Sequence, residues 1–110
     1  MAEISFSVQA SQFLEDLQER LEAVEALEDL DMDLVDGVLT LEFDDGNQVI
    51  INRHEAAQQI WVASPLGPAH FSYDPDSGQW RDDKTGAGLR ESLEQIFTAS
   101  LNVPVKLEGF

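Results

Sequence analysis

Residues 29–53 read DLDMDLVDGVLTLEFDDGNQVIINR, and the period of this stretch decides the fold. From Asp29 to Asp36 acidic and apolar residues alternate. Leu30, Met32 and Leu34 belong to one side of an extended chain, and Asp29, Asp31 and Asp33 to the other, which is the pattern of a half-buried strand. Asp36-Gly37 then signals a hairpin, because a two-residue turn needs residues that tolerate positive φ. Val38 to Phe43 follows as a second strand, Asp45-Gly46 as a second turn and Gln48 to Arg53 as a third strand.

Reading outward, the same rhythm continues downstream. Gln58 to Ser64 is a fourth strand, and Pro65-Leu-Gly-Pro68 turns the chain into Ala69 to Tyr73. Pro75-Asp-Ser-Gly78 turns it again into Gln79 to Asp82. Short strands broken by frequent turn signals predict an antiparallel meander. Both flanks change to helical spacing. Ala10, Phe13, Leu14, Leu17, Leu21, Val24 and Leu27 fall on one arc at 100° per residue. The spacing predicts a helix from about Ala10 to Leu27 with Ser11 as N-cap. Leu89, Leu93, Ile96, Phe97 and Leu101 predict a second helix over about 88–100. Pro104 stops it, and the partly apolar residues 102–110 are expected to return against the body. Two amphipathic helices and one meander must bury their apolar faces on each other. The expected fold is α+β: a two-layer sandwich, a single domain over 1–110, with both terminal helices on one face of a roughly six-stranded antiparallel sheet.

Charge narrows the function. The 110 residues hold 22 acids against 6 bases, a net charge of −16. Residues 1–45 carry 14 of the acids and one base, Arg20, for −13; residues 46–110 carry 8 acids and 5 bases, for −3. Such a field repels nucleic acid and anionic lipid and attracts cations or basic protein surfaces. Cysteine is absent, which excludes disulfides, thiolate zinc sites, a cysteine nucleophile and cysteine ligation of a cluster by this chain. No apolar run approaches the ~18 residues of a membrane span. The first residues show neither a basic n-region nor an Arg-rich amphipathic stretch, so a cytoplasmic protein without signal or transit peptide is expected.

Enzymatic signatures are missing: there is no Gly-rich phosphate loop, no G-x-S-x-G and no H-E-x-x-H, and a non-enzymatic role is expected. The triplet Asp29, Asp31, Asp33 does not make a calcium loop, because Leu34 stands where the sharp-turn Gly is needed and Thr40 where the bidentate Glu is needed. What remains is an acidic ridge: Glu15, Asp16, Glu19, Glu22 and Glu25 on the helix, then Asp29, Asp31 and Asp33 on the strand. Carboxylates are hard oxygen ligands suited to Mg²⁺, Ca²⁺, Mn²⁺ or iron. Without a concave cage such sites are exposed, weak and unselective. The ridge reads equally as a solvated face or as a docking surface for a basic partner. In the fourth strand Gln59 and Trp61 share one side and Ile60 and Val62 the other. The aliphatic pair belongs under the helices, which sends Trp61 to the open face as an interface anchor.

The acidic helix, the D-x-D-x-D strand, G-V-L-T-L-E-F, I-I-N-R, Q-I-W-V-A-S-P and W-x-x-x-x-x-G before the last helix together resemble the frataxin family, over about residues 10–101 and in its bacterial form. The resemblance implies an α–β sandwich and weak ferrous and ferric iron binding on the ridge, at Glu19, Glu22, Glu25, Asp29, Asp31 and Asp33. It implies a cysteine desulfurase and the iron–sulfur scaffold protein as partners, met through Asn52, Arg53, Gln59 and Trp61 on the sheet; Glu15 and Asp16 join the docking surface. His54 and Ala56 depart from the Gln and Pro expected after I-N-[KR], and His70 stands where some members carry Arg. The expected role is an iron-binding accessory of iron–sulfur cluster assembly, acting as a monomer. A ferroxidase or iron-storage protein that oligomerises with iron is the alternative, ranked lower because no Glu-x-x-His di-iron pattern is visible. An acidic mimic of DNA ranks third, since it gives Trp61 no role.

Overall fold

The computed structural model describes residues 5–107. The order is α1 (Phe6–Glu22), a 3-10 turn (Glu25–Leu27), β1 (Asp31–Val35), β2 (Val38–Glu42), β3 (Gln48–His54), β4 (Gln59–Ala63), β5 (Ala69–Asp74), β6 (Gln79–Asp82) and α2 (Leu89–Leu101). The six strands form one antiparallel sheet in sequence order, β1 to β6. This is the expected two-layer sandwich, and the alternation of each strand decides what faces the helices. Leu39 and Leu41, Val49 and Ile51, Ile60 and Val62, Phe71 and Trp80 turn inward and meet Leu14, Leu17, Leu21, Leu89, Leu93 and Phe97 in one core. Asp36 (φ 50°) and Gly37 (φ 78°) both adopt left-handed backbone, as a tight two-residue hairpin between β1 and β2 requires.

The helix boundaries differ from the sequence expectation. Ser5, not Ser11, caps α1: its backbone is extended and its Oγ accepts the Val8 N–H at 3.3 Å. The extra turn carries Phe6, whose ring stands edge-on to Trp80 at 6.1 Å while Phe13 lies 5.7 Å from the same indole. Ser11 Oγ instead accepts a hydrogen bond from Arg53 Nη1 at 2.5 Å. At the other end α1 stops five residues early. Val24 turns extended (φ −85°, ψ 119°), and the 3-10 turn then returns Leu27 to the core, where it is fully buried. The apolar stripe continues although the helix does not, which is why periodicity alone runs through the break.

Asn102, in left-handed conformation (φ 57°), ends α2, its N–H bonding the Thr98 carbonyl. The chain then folds back as expected. Val105 and Leu107 are buried, Val105 N–H donates to Thr98 Oγ1 at 3.0 Å, and Leu107 N–H donates to Glu94 Oε2 at 2.7 Å. The expectation for residues 108–110 lies outside the described residues. Among the described residues no helix is long and apolar enough to cross a membrane.

Candidate functional site

All eight ridge acids are exposed, but they belong to four successive pieces of structure. Glu15, Asp16, Glu19 and Glu22 lie on α1, Glu25 on the 3-10 turn, Asp29 on the approach to β1, and Asp31 and Asp33 on β1 itself. On β1 the inward positions are Met32 and Leu34, so Asp31 and Asp33 face away from the helices. Because β1 is the edge strand, the acids run from the helix layer around the sheet edge onto its open face. An edge strand so charged also resists pairing with another chain.

Among the described residues no three His, Asp or Glu groups converge to hold a metal ion. Glu19 and Glu22 are three apart on one helix, a spacing of about 5–6 Å between Cβ atoms. Asp31 and Asp33 are two apart on one strand face, roughly 7 Å along the chain. The six predicted ligands are thus not brought into one cage. Glu19 with Glu22, and Asp31 with Asp33, are exposed pairs of hard oxygen donors, which suit a loosely held ion that keeps most of its hydration. Asp16 also lines a recess of about 230 Å³ walled by Phe13, Tyr73 and Trp80.

The open face carries the second set of predicted residues. Strand register aligns Val35 with Val38, Val38 with Asn52, Asn52 with Trp61 and Trp61 with His70. These five residues make one row across five strands. It begins beside Asp33 at the acidic edge and ends at β5. Trp61 reaches the open face as expected but is half-buried. Its ring is stacked on His54 at 3.7 Å (8° between planes) and on His70 at 4.3 Å (25°). The indole Nε1–H donates to Gln59 Oε1 at 2.8 Å. Gln59 Nε2 in turn donates to Ser72 Oγ at 3.3 Å and to Asp83 Oδ2, while Ser72 Oγ donates to Asp83 Oδ1 at 2.8 Å. Gln59 is therefore the clamp that fixes the indole, tied to the loop after β6.

Arg53 does not share this face. It pairs with Ile60 across β3 and β4 and points toward the helices, where it holds Ser11 of α1 and lies 3.5 Å from Glu55. Alternation separates it from Asn52, its neighbour in sequence. Sequence reasoning missed the two histidines as ring partners of Trp61. The available signal was parity: His54 shares a side with Asn52, and His70 falls opposite Trp61 once the Pro65–Pro68 turn sets the hairpin.

Residues 1–103 match the frataxin-like domain family. The chain belongs to the frataxin family. It is 55% identical over 107 residues to the iron–sulfur cluster assembly protein CyaY of Thioalkalivibrio sulfidiphilus, covering 97% of this chain and 100% of that one. A Pseudomonas fluorescens protein of the same name is 42% identical over 94 residues, 84% of this chain and 86% of the relative. These relatives assign the chain to the bacterial CyaY type. Among solved frataxin structures, that of Psychromonas ingrahamii superimposes with a TM-score of 0.79 at 30% identity, covering 92% of each chain. A trimeric frataxin from the yeast Saccharomyces cerevisiae, complexed with ferrous iron, gives 0.67 at 30% identity over 93% of this chain and 90% of the other. The frataxin fold thus carries both the ridge and the open face of this chain on one α–β sandwich.

Proposed function

We propose that this frataxin-family chain is an accessory protein of iron–sulfur cluster assembly that carries iron weakly on its ridge and docks on a cysteine desulfurase and the scaffold protein. The observation that carries this reading is the continuity of the two surfaces. The acids of α1 and β1 lead directly into the row Val35, Val38, Asn52, Trp61 and His70. A basic partner would be drawn by the acids and would then bury this uncharged row, with Trp61 as anchor. The cluster-assembly names of the CyaY relatives and the ferrous complex of the yeast protein support the same assignment.

In this account iron is cargo. It is held by exposed carboxylate pairs among Glu19, Glu22, Glu25, Asp29, Asp31 and Asp33 and is given up easily because nothing encloses it. The protein acts in the cytoplasm as a monomer and regulates or loads the assembly machinery without catalysing a step. Glu15 and Asp16 extend the docking surface along α1. Replacing Glu19→Lys and Glu22→Lys together is expected to weaken desulfurase binding, measured by calorimetry, by about tenfold or more with the circular dichroism spectrum intact. Unchanged affinity would contradict the docking role.

A further inference from the structure

Apart from a chain's α-amino group, histidine is the side chain that ordinarily changes charge between about pH 5 and 8, and this chain has no cysteine. It has two histidines, and both lie on the two faces of one indole at the centre of the open face. Two groups able to answer a small change in pH are thus concentrated on the residue that anchors the proposed docking row.

We propose that the His54–Trp61–His70 stack makes the open face a proton-controlled docking surface for a basic protein, receptive while the imidazoles are neutral and repellent once they are charged. The inference rests on the reading of that face as a docking surface. With neutral imidazoles the row from Val35 to His70 is uncharged, two valines and the aromatic stack with Asn52 between them, bordered by Asp31 and Asp33. Protonating both rings places two positive charges against Trp61, in the middle of the buried contact, where a cationic partner pays for them most.

The structure also couples charge to geometry at His54. Its Nδ1 accepts the Ala57 N–H of the β3–β4 turn at 3.3 Å; a proton on that nitrogen turns the acceptor into a donor and sets two N–H groups against each other. At His70 the backbone carbonyl accepts the Asp83 N–H, so that residue's position is tied to the loop that Gln59 also grips. The charged groups that share this face or its rim are Glu55 in the β3–β4 turn, Asp74 paired with Arg81 at 3.4 Å on β5 and β6, Asp83 and Lys84 in the following loop, Glu42 on β2, and Asp31 and Asp33 on β1. Carboxylates, lysines and arginines ordinarily titrate outside the window. Imidazolium against an indole face is itself a favourable cation–π contact, so the charged stack persists as a cationic patch.

The test has two parts. In the free protein, the indole N–H resonance of Trp61 is followed by NMR from pH 8 to pH 5.5, with Trp80 as internal control because it is buried in the core. The Trp61 signal is expected to titrate together with the ring protons of His54 and His70, and to lose part of its response in His54→Gln and in His70→Gln. A Trp61 signal that stays flat while the histidines titrate would overturn the proposal without any partner present. Binding to the cysteine desulfurase is then measured at pH 8 and pH 6 for the wild type and for the His54→Gln/His70→Gln double variant. The wild type is expected to lose roughly tenfold more affinity on acidification than the variant, the scale of two poorly solvated charges. Equal losses, or tighter wild-type binding at pH 6, would overturn the proposal while leaving the docking reading in place. No binding by either protein at either pH would remove the docking reading itself, and the proposal with it.

Discussion

At Trp61 the indole is enclosed by an imidazole on each face and its N–H is bonded to Gln59, so the ring is held in one orientation. In the proposed docking, little side-chain entropy would then remain for this ring to lose. In the turn between β1 and β2, Gly37 supports the sheet in a different manner. Its φ of 78° is left-handed, and a Cβ there would come 2.9 Å from Arg53 Nε. Gly37→Ala is therefore expected to lower stability by about 1–2 kcal/mol through backbone strain alone, with further loss as Arg53 is pushed from Ser11; urea unfolding measures it. Such residue detail was only partly legible in the sequence. Parity placed Trp61 and Gln59 on one face, and the composition of the Asp36-Gly37 turn announced its backbone. The partnership of Arg53 with Ser11 was not legible, because it depends on how α1 lies across the sheet.

Among the elements, the strands were readable nearly to the residue. Alternation and turn chemistry are local properties, and here they agree with the tertiary fold. Helix α1 was harder. Its apolar stripe passes without a gap from Leu21 to Leu27, and only the extended backbone at Val24 divides it. Its true start was foreshadowed by Phe6, four residues before Ala10, but needed Trp80 on β6 to give that ring a place. The β5–β6 hairpin supplies a test of its own. Asp74 accepts hydrogen bonds from Ser77 Oγ at 2.9 Å and from the Asp76 N–H at 3.1 Å, and lies beside Arg81. Chiefly through the Ser77 bond, its carboxyl is held below the ordinary value of 3.8. A depressed folded-state value means that its contribution is present above the unfolded value and lost as pH falls through the folded one. Asp74→Asn is accordingly expected to remove stability at neutral pH and to flatten the fall in stability below pH 3.8, seen by thermal melts across pH 2–6 (roughly the span of carboxylate titration).

For the whole molecule, a net charge of −16 on 110 residues sets a self-repulsion that the fold must carry. The six bases cannot neutralise it, and residues 1–45 hold most of it. Salt screens such repulsion within about 10 Å at 0.1 M. Raising NaCl from low to moderate concentration should therefore stabilise this protein. If about 1 kcal/mol of repulsion is relieved, the melting temperature rises by about 4–8 °C for a domain of this size; a falling melting temperature would mean that attractive pairs outweigh the ridge. In the proposed role the same unrelieved charge is what would draw iron and a basic partner to the ridge. Composition made that much visible from the start. It could not show that the acids turn the corner at β1 and join the row that ends at Trp61 and His70, because that continuity exists only once the sheet is folded with β1 at its edge.

The joining of the two surfaces is tested most directly by backbone and indole NMR of the labelled protein titrated with purified cysteine desulfurase. The account predicts that signals from α1 (Glu15 to Glu22), from β1 (Asp31 to Val35) and from the Trp61 indole change together, with one apparent affinity. Changes confined to the helix, with Asp31, Asp33 and Trp61 untouched, would contradict it.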